Sequence, residues 1–520
     1  MPYAAGTGLN TTKLCLPGTR TNVLSRITAW INDSGDTAQQ VLWLSGPAGT
    51  GKSAIAHTIA NWFNNLGGLG SCFCFDRNQT DKHHEKVFST ITRDLADRDP
   101  EMRHALANVV ERANALKSTT DIVQQRHKLL IESLKKSSGS SVGPVLIVIK
   151  ALDESGEVKT RRNLLCILAG TLKGEGLPKI TELPSNFRIL ITSRTLPDIN
   201  SEFQDAPHIQ RLSMDDISEK DSKRDIRTFV SHELKKVSGL GDKEFADLAN
   251  RAGGLFEWAR LACNYIRDIA TGSPAIDRLN DIVSHNDGEQ ENLLYGMYNF
   301  ILGQNMRREK HVTEAGYQRA LAKFHSVMGQ VLGSAKPLSL DALNAMRCHF
   351  PDKSEHYRVE LIVGDMGSLL SGTTNSSSTI RPLHASFREF LTNKSSSGEF
   401  FVEMLNSQHD LAFASLRVME HDLHFNICNL KSSYLPNSKD TGLPNRVTTH
   451  IPSHLSYSCR FWATHVRATD FDRELTKEIG SFFDDERLLF WIETLGLLNG
   501  LNSAVAVLPL IARWLKVRTE

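Results

Sequence analysis

Residues 41–53, VLWLSGPAGTGKS, restrict what this chain can fold into more than any other stretch. Val41, Leu42, Trp43 and Leu44 form a short apolar run suited to a buried strand. Gly46-x-x-x-x-Gly51-Lys52-Ser53 follows, and AIAHTIANWF continues with helical spacing. A strand, a glycine-rich loop and a helix in that order make a phosphate cradle. Gly46, Gly49 and Gly51 let backbone N–H groups turn toward anionic oxygens with no Cβ in the way. Pro47, Ala48 and Thr50 complete the loop. The helix begun by Ser53 directs its positive end at the same anion. Lys52 adds a point charge for the β- and γ-phosphates of a nucleotide, and Ser53 a hydroxyl for Mg²⁺.

A nucleotide site of this kind needs acids at the end of a neighbouring strand. VLIVI (145–149) reads as a second buried strand, and Asp153 and Glu154 follow it. Asp153 is the candidate for Mg²⁺, and either acid could place an attacking water. Lys150 stands directly after the strand, where an aspartate is expected. Three readings of it compete: it abolishes productive Mg²⁺ placement, it turns aside to pair with Asp153 or Glu154, or it reflects a sequence error or local register shift. FRILITSR (187–194) reads as a third buried strand closed by Arg194. Apolar strands separated by helices specify a parallel sheet covered on both faces, with the ligand beyond the carboxyl ends of the strands. The loop, Asp153, Glu154 and Arg194 should therefore converge.

The rest of the chain is mainly helical. TNVLSRITAWI places Val23, Leu24, Ile27, Trp30 and Ile31 on one helical face ahead of the cradle, and GSCFCFD (70–76) is strand-like. From about residue 215 long 3.6-residue periodicity takes over. Within 316–395, KPLSLDALNAM opens a helix after Pro337 and Ser339, and SGTTNSSSTIRPL is a polar turn between short strands, the mixture of a winged helix. Helical pairs follow from 396, and 488–515 reads as two packed helices.

Composition supports a soluble globular chain, 40% hydrophobic and 23% charged, with sixty Lys and Arg against 59 Asp and Glu. Neither nucleic acid nor an anionic membrane is called for, and no apolar run reaches the ~20 residues of a membrane span. Eight scattered cysteines suit reduced thiols in a cytoplasmic protein. His83 and His84, in DKHHEK, read as a solvated helix start rather than a metal site, and Trp258, Trp462 and Trp491 as core.

Several separated segments together resemble the NACHT group of signal-transducing P-loop ATPases of the STAND class, particularly fungal NLR-like proteins. They are CLPGTR, VLWLSGPAGTGKSAIAHTIA, VLIVIKALDESG, FRILITSR, GGLFEWARLACNYI, PLHASFREFLT and LSYSCRFWATHV. The resemblance implies an α/β P-loop NTPase fold followed by helical, winged-helix and further α-helical domains. Its divisions are an N-terminal segment and lead-in helix (1–35), the NACHT domain (36–212), a helical domain (213–310), a winged-helix-like domain (311–395) and a C-terminal helical region (396–520). It implies ATP or ADP with Mg²⁺ as cofactors, and a closed ADP state that opens and self-associates with ATP. Unidentified sensor or effector proteins are the other partners implied. Lys52 and Ser53 match the phosphate-loop pair, and Asp153 and Glu154 the later acids of the family's DALDE. Arg194 matches the arginine that senses the γ-phosphate. His384 matches a winged-helix histidine that reaches the β-phosphate of ADP. Lys150 departs from the family aspartate, which leaves two expectations: a slow ATPase switch, or a nucleotide-binding scaffold impaired in hydrolysis.

Overall fold

The computed structural model describes all residues except 1–2, 5–7, 36–37, 77–83, 137–142, 172–181, 268–272, 285–292, 307–312, 433, 435, 485 and 517–520. The chain divides into two units, Met1–Asn286 and Asp287–Glu520.

The first unit is built on a five-stranded parallel sheet. Its strands are β1 (Val41–Ser45), β2 (Leu69–Cys74), β3 (Val145–Lys150), β4 (Phe187–Ser193) and β5 (Ile209–Ser213), in the order β2-β3-β4-β1-β5. Every residue of β1, β3 and β4 is buried, as expected for strands covered on both faces and rich in Val, Ile and Leu. The pleat sorts side chains into two cores. Phe73, Ile149, Ile191 and Trp43 are register partners across the sheet and share one face. Cys72, Val148, Leu190 and Leu42 form the row on the other face, under α1 (Thr21–Ile31) and α2 (Lys52–Asn65). Of α1, Val23, Leu24, Ile27, Trp30 and Ile31 are buried, the face read from their spacing.

Three features differ from the sequence expectation. β5 was not expected: only Ile209 and Leu212 of its five residues are buried, so this edge strand carries no apolar run to betray it. β3 extends through Lys150, which is therefore a strand residue and not the first residue beyond. The helical stretch after residue 121 contains a π-helical segment, Gln125–Ile131, a local widening that periodicity does not reveal. Beyond the sheet, helices Glu219–Leu234, Asp242–Arg251, Phe256–Arg267 and Ala275–Ser284 complete the unit.

The second unit is nearly all helical. Ser339 caps the helix Leu340–Arg347, accepting from the Ala342 N–H at 3.3 Å. The polar turn after it joins Leu370–Ser371 to Arg381–Pro382 in a two-residue antiparallel ribbon. Helices Met404–Asp422 and Ser453–Arg467 form the most extensive helix pair of this unit. The 488–515 stretch forms two helices, Arg487–Leu497 and Leu501–Lys516. Trp462 and Trp491 are buried with ring centroids 6.2 Å apart, and Trp258 is buried in the first unit. Among the described residues no helix is long and apolar enough to cross a membrane.

Candidate nucleotide site

The phosphate loop lies between the end of β1 and the start of α2. Gly46, Gly49 and Gly51 have φ of 147°, 81° and 94°, a region open to glycine and unfavourable to other residues. Gly46 has a second constraint, since a Cβ there would stand 2.6 Å from the Cβ of Met214. The loop is braced from outside. The Thr50 hydroxyl donates to Pro47 O at 2.9 Å, the Arg20 guanidinium donates to Thr50 O at 2.9 Å, and the Glu257 N–H donates to Gly49 O at 3.1 Å. Arg20, the last residue of CLPGTR, is buried. Its own N–H donates to Asp225 Oδ2 at 2.9 Å, and its guanidinium lies 4.7 Å from the Phe256 ring centroid. Nothing in the local spacing of that motif marks Arg20 for this role.

Lys52 Nζ donates to the carbonyls of Gly46 and Pro47, each at 2.7 Å. Burial lowers its proton affinity, to about 8. Asp153, Asp215 and Glu154 act in the opposite sense, and Arg194 reinforces the lowering. Asp215 is one residue past Met214, which directly follows β5. The groups acting on Lys52 thus come from the carboxyl ends of β3, β4 and β5, where an open parallel sheet binds ligands. The convergence expected of the loop, Asp153, Glu154 and Arg194 is present in this electrostatic sense, and Asp215 is an addition that sequence reasoning missed. Ser53 is solvent-exposed on the first turn of α2.

Asp153 and Arg194 engage each other. Asp153 accepts from Arg194 Nε on Oδ2 at 2.6 Å and from the Arg194 N–H on Oδ1 at 3.1 Å. The turn that presents Asp153 begins at Ala151, whose φ of 55° is rare for a residue with a Cβ. It is held by buried Arg161, which donates to Asp153 O and Gly156 O, both at 3.0 Å, and to Asp198 Oδ2 at 2.9 Å.

Lys150 points elsewhere. Strand alternation places it on the face of Leu146 and Val148, beneath α2, and its Nζ meets Nε2 of His57, one helical turn beyond Ser53. Of the three readings of Lys150, pairing with one of the acids is thus replaced by pairing with a histidine. β3 keeps its register to β2 and β4 up to its end. His57 is buried, its Nδ1 accepts from the Asn10 N–H at 3.2 Å, and burial first, then Lys150 and Lys13, lowers its proton affinity to about 3.

His384 belongs to the second unit. It caps the helix Ala385–Leu391, its Nδ1 accepting from the Ser386 N–H at 3.3 Å and lying 2.6 Å from the Ser386 hydroxyl. His83 lies outside the described residues, and His84 starts a short 3₁₀ helix. All eight cysteines are free thiols. No group of three or more His, Cys, Asp or Glu among the described residues is placed to hold a metal ion.

Residues 18–194 match the family model described as Nephrocystin 3, N-terminal. No curated protein matches the chain. Among solved structures, one described as Drosophila ORC bound to DNA aligns at 14% identity over 74% of this chain and 96% of that one, with a TM-score of 0.28, a likeness too slight to argue from. The matched segment contains the phosphate loop, both acids and Arg194, so residues 18–194 are similar to the nephrocystin 3 N-terminal region, which fits the NLR-like NACHT resemblance of the sequence.

Proposed function

We propose that this protein is a nucleotide-dependent switch that binds ATP and ADP at the phosphate loop. The observation that carries the reading is the cradle itself. Three left-handed glycines face a lysine on which groups from the ends of three further strands converge. A bound phosphate would replace the Gly46 and Pro47 carbonyls as the partner of Lys52. A γ-phosphate would also compete with Asp153 for Arg194, so ATP and ADP would leave different contacts behind. Each charge-assisted hydrogen bond is worth about 1.5–3 kcal/mol. A few of them therefore reach the several kcal/mol that a two-state switch requires. In this reading the open state self-associates.

Lys52→Ala tests the binding step. Nucleotide at about 100 times its dissociation constant adds roughly 2.7 kcal/mol to a protein that binds it. The wild type should therefore melt higher with ATP or ADP and the variant should not. An equal shift in both would end the P-loop assignment.

The contact between Lys150 and His57 favours a second reading, in which nucleotide is held with little or no hydrolysis. Single-turnover hydrolysis by the wild type and by Lys150→Asp separates the two. Turnover in the wild type with no gain in the variant would remove the scaffold reading.

A further inference from the structure

In a phosphate-loop site Mg²⁺ is held by the loop Ser or Thr, by phosphate oxygens and by a carboxylate at the end of the adjacent strand, usually through water. The residues of this chain do not fit that donor set. The strand-end position is Lys150, buried under α2 against His57. A charged ammonium there repels a dication, and an uncharged amine is a nitrogen ligand that Mg²⁺, a hard cation, does not select. The next acid along, Asp153, has one oxygen on the Arg194 guanidinium and the other on the Arg194 N–H. Its carboxylate is almost wholly buried, so turning it toward a metal would require breaking that pair. Glu154 and Asp215 are not gathered, among the described residues, into any group of three or more His, Cys, Asp or Glu placed to hold a metal ion.

We infer that this chain grips nucleotide without a divalent cation. Lys52, the loop N–H groups and the α2 terminus would meet the phosphate charge by themselves. The inference rests on the proposed P-loop reading and deepens it. It concerns the form of the diphosphate recognised, free ADP rather than its Mg²⁺ complex, since ADP has no γ-phosphate to draw Arg194 from Asp153. The chemistry follows from charge: a site that already has a lysine in place of the carboxylate cannot gain from the extra positive charge of the metal complex.

The experiment uses the full chain, ADP as probe, and equilibrium binding by calorimetry in excess EDTA and in millimolar Mg²⁺. The inference expects ADP to bind at least as tightly in EDTA as in Mg²⁺, because the metal competes with the site for the free nucleotide. It also expects the resonance of free aquo Mn²⁺ to grow when the protein is added to Mn²⁺–ADP at concentrations that bind the nucleotide, as the site withdraws ADP from the metal; a broadened, protein-bound Mn²⁺ signal would overturn it. Weakening of about tenfold or more in EDTA would overturn the inference and leave the nucleotide reading intact. Absence of ADP binding in both buffers would overturn that reading, and the inference with it. Lys150→Asp restores the missing carboxylate and should make binding tighten about tenfold on adding Mg²⁺. A Lys150→Asp protein with the wild-type circular-dichroism melting profile and no Mg²⁺ response would count against the inference. If that variant does not fold, the wild-type comparison decides.

Discussion

Arg194 closes on Asp153 through both its guanidinium, at 2.6 Å, and its backbone N–H, at 3.1 Å. The residue that follows β4 thereby fastens the turn that follows β3. In Arg194→Ala the backbone bond survives, but the buried carboxylate loses its charged partner. Breaking a buried pair costs about 3–5 kcal/mol. With one bond retained and Arg194 partly exposed, a loss of about 2 kcal/mol is expected. The urea midpoint of the first unit reads it, and an unchanged midpoint would show that the pair is merely ornamental.

Lys52 should make nucleotide binding pH-dependent. Its proton affinity in the free protein is lowered to about 8, chiefly by burial. Above that pH the free protein holds a neutral amine, whereas a phosphate partner favours the ammonium. Affinity should therefore decline on the alkaline side of about 8, approaching tenfold per pH unit, with a proton taken up on binding. Calorimetry near pH 9 in buffers of different ionisation enthalpy measures that uptake. Heats independent of buffer would contradict it.

Acid should destabilise each unit through one buried histidine. In the second unit His465 Nδ1 lies 2.7 Å from Gln408 Oε1 and its Nε2 lies 2.7 Å from the Tyr457 hydroxyl, which accepts from the Ala335 N–H at 2.9 Å. Gln408 requires a proton on Nδ1, so Nε2 accepts from tyrosine and the ring is neutral. Burial lowers its proton affinity to about 3. The unfolded chain binds a proton near pH 6.5 and the folded one does not. Stability is therefore present above about 6.5 and falls as the pH drops toward 3. By pH 5 the loss is about 2 kcal/mol for this one group. His57, also about 3, imposes the same slope on the first unit. In His465→Gln the second unit should be weaker at neutral pH, and its stability less sensitive to acid. A slope identical to wild type would refute the assignment.

Gly46→Ala should abolish nucleotide binding at a cost to stability. A Cβ at φ 147° would be strained and would press on the Cβ of Met214 at 2.6 Å, an atom that no rotamer change can move away. A penalty of about 1–3 kcal/mol is expected. Gly51→Ala meets no atom within 4 Å, although φ is 94° there, so it should be the milder change. Chemical denaturation of the two variants orders them, and the reverse order would contradict the packing argument.

Much of the site was legible because phosphate loops are local. Glycines, lysine and serine sit at set spacings between one strand and one helix, and the three innermost strands are continuous apolar runs. What escaped notice depends on residues distant in sequence. β5 alternates apolar and polar residues at a sheet edge, so only pairing with β1 identifies it. Arg20 meets Thr50 and Phe256 through folding alone, and the only hint was its place at the end of CLPGTR. LSYSCRFWATHV is quoted easily as a motif, yet its Tyr457 and His465 make sense only once they meet Gln408 and Ala335.

The amino-acid order alone determined that a glycine-floored anion cradle would stand between a buried strand and a helix, because a loop of that length leaves the backbone few alternatives. It also determined that Lys150 breaks the expected run of acids. Only the tertiary structure decided where that lysine goes and whom Asp153 serves. Pleating turns Lys150 beneath α2 to His57, and the side-by-side register of β3 and β4 brings Arg194 to Asp153. Both outcomes arise from strand pairing across long stretches of chain, which no local spacing encodes.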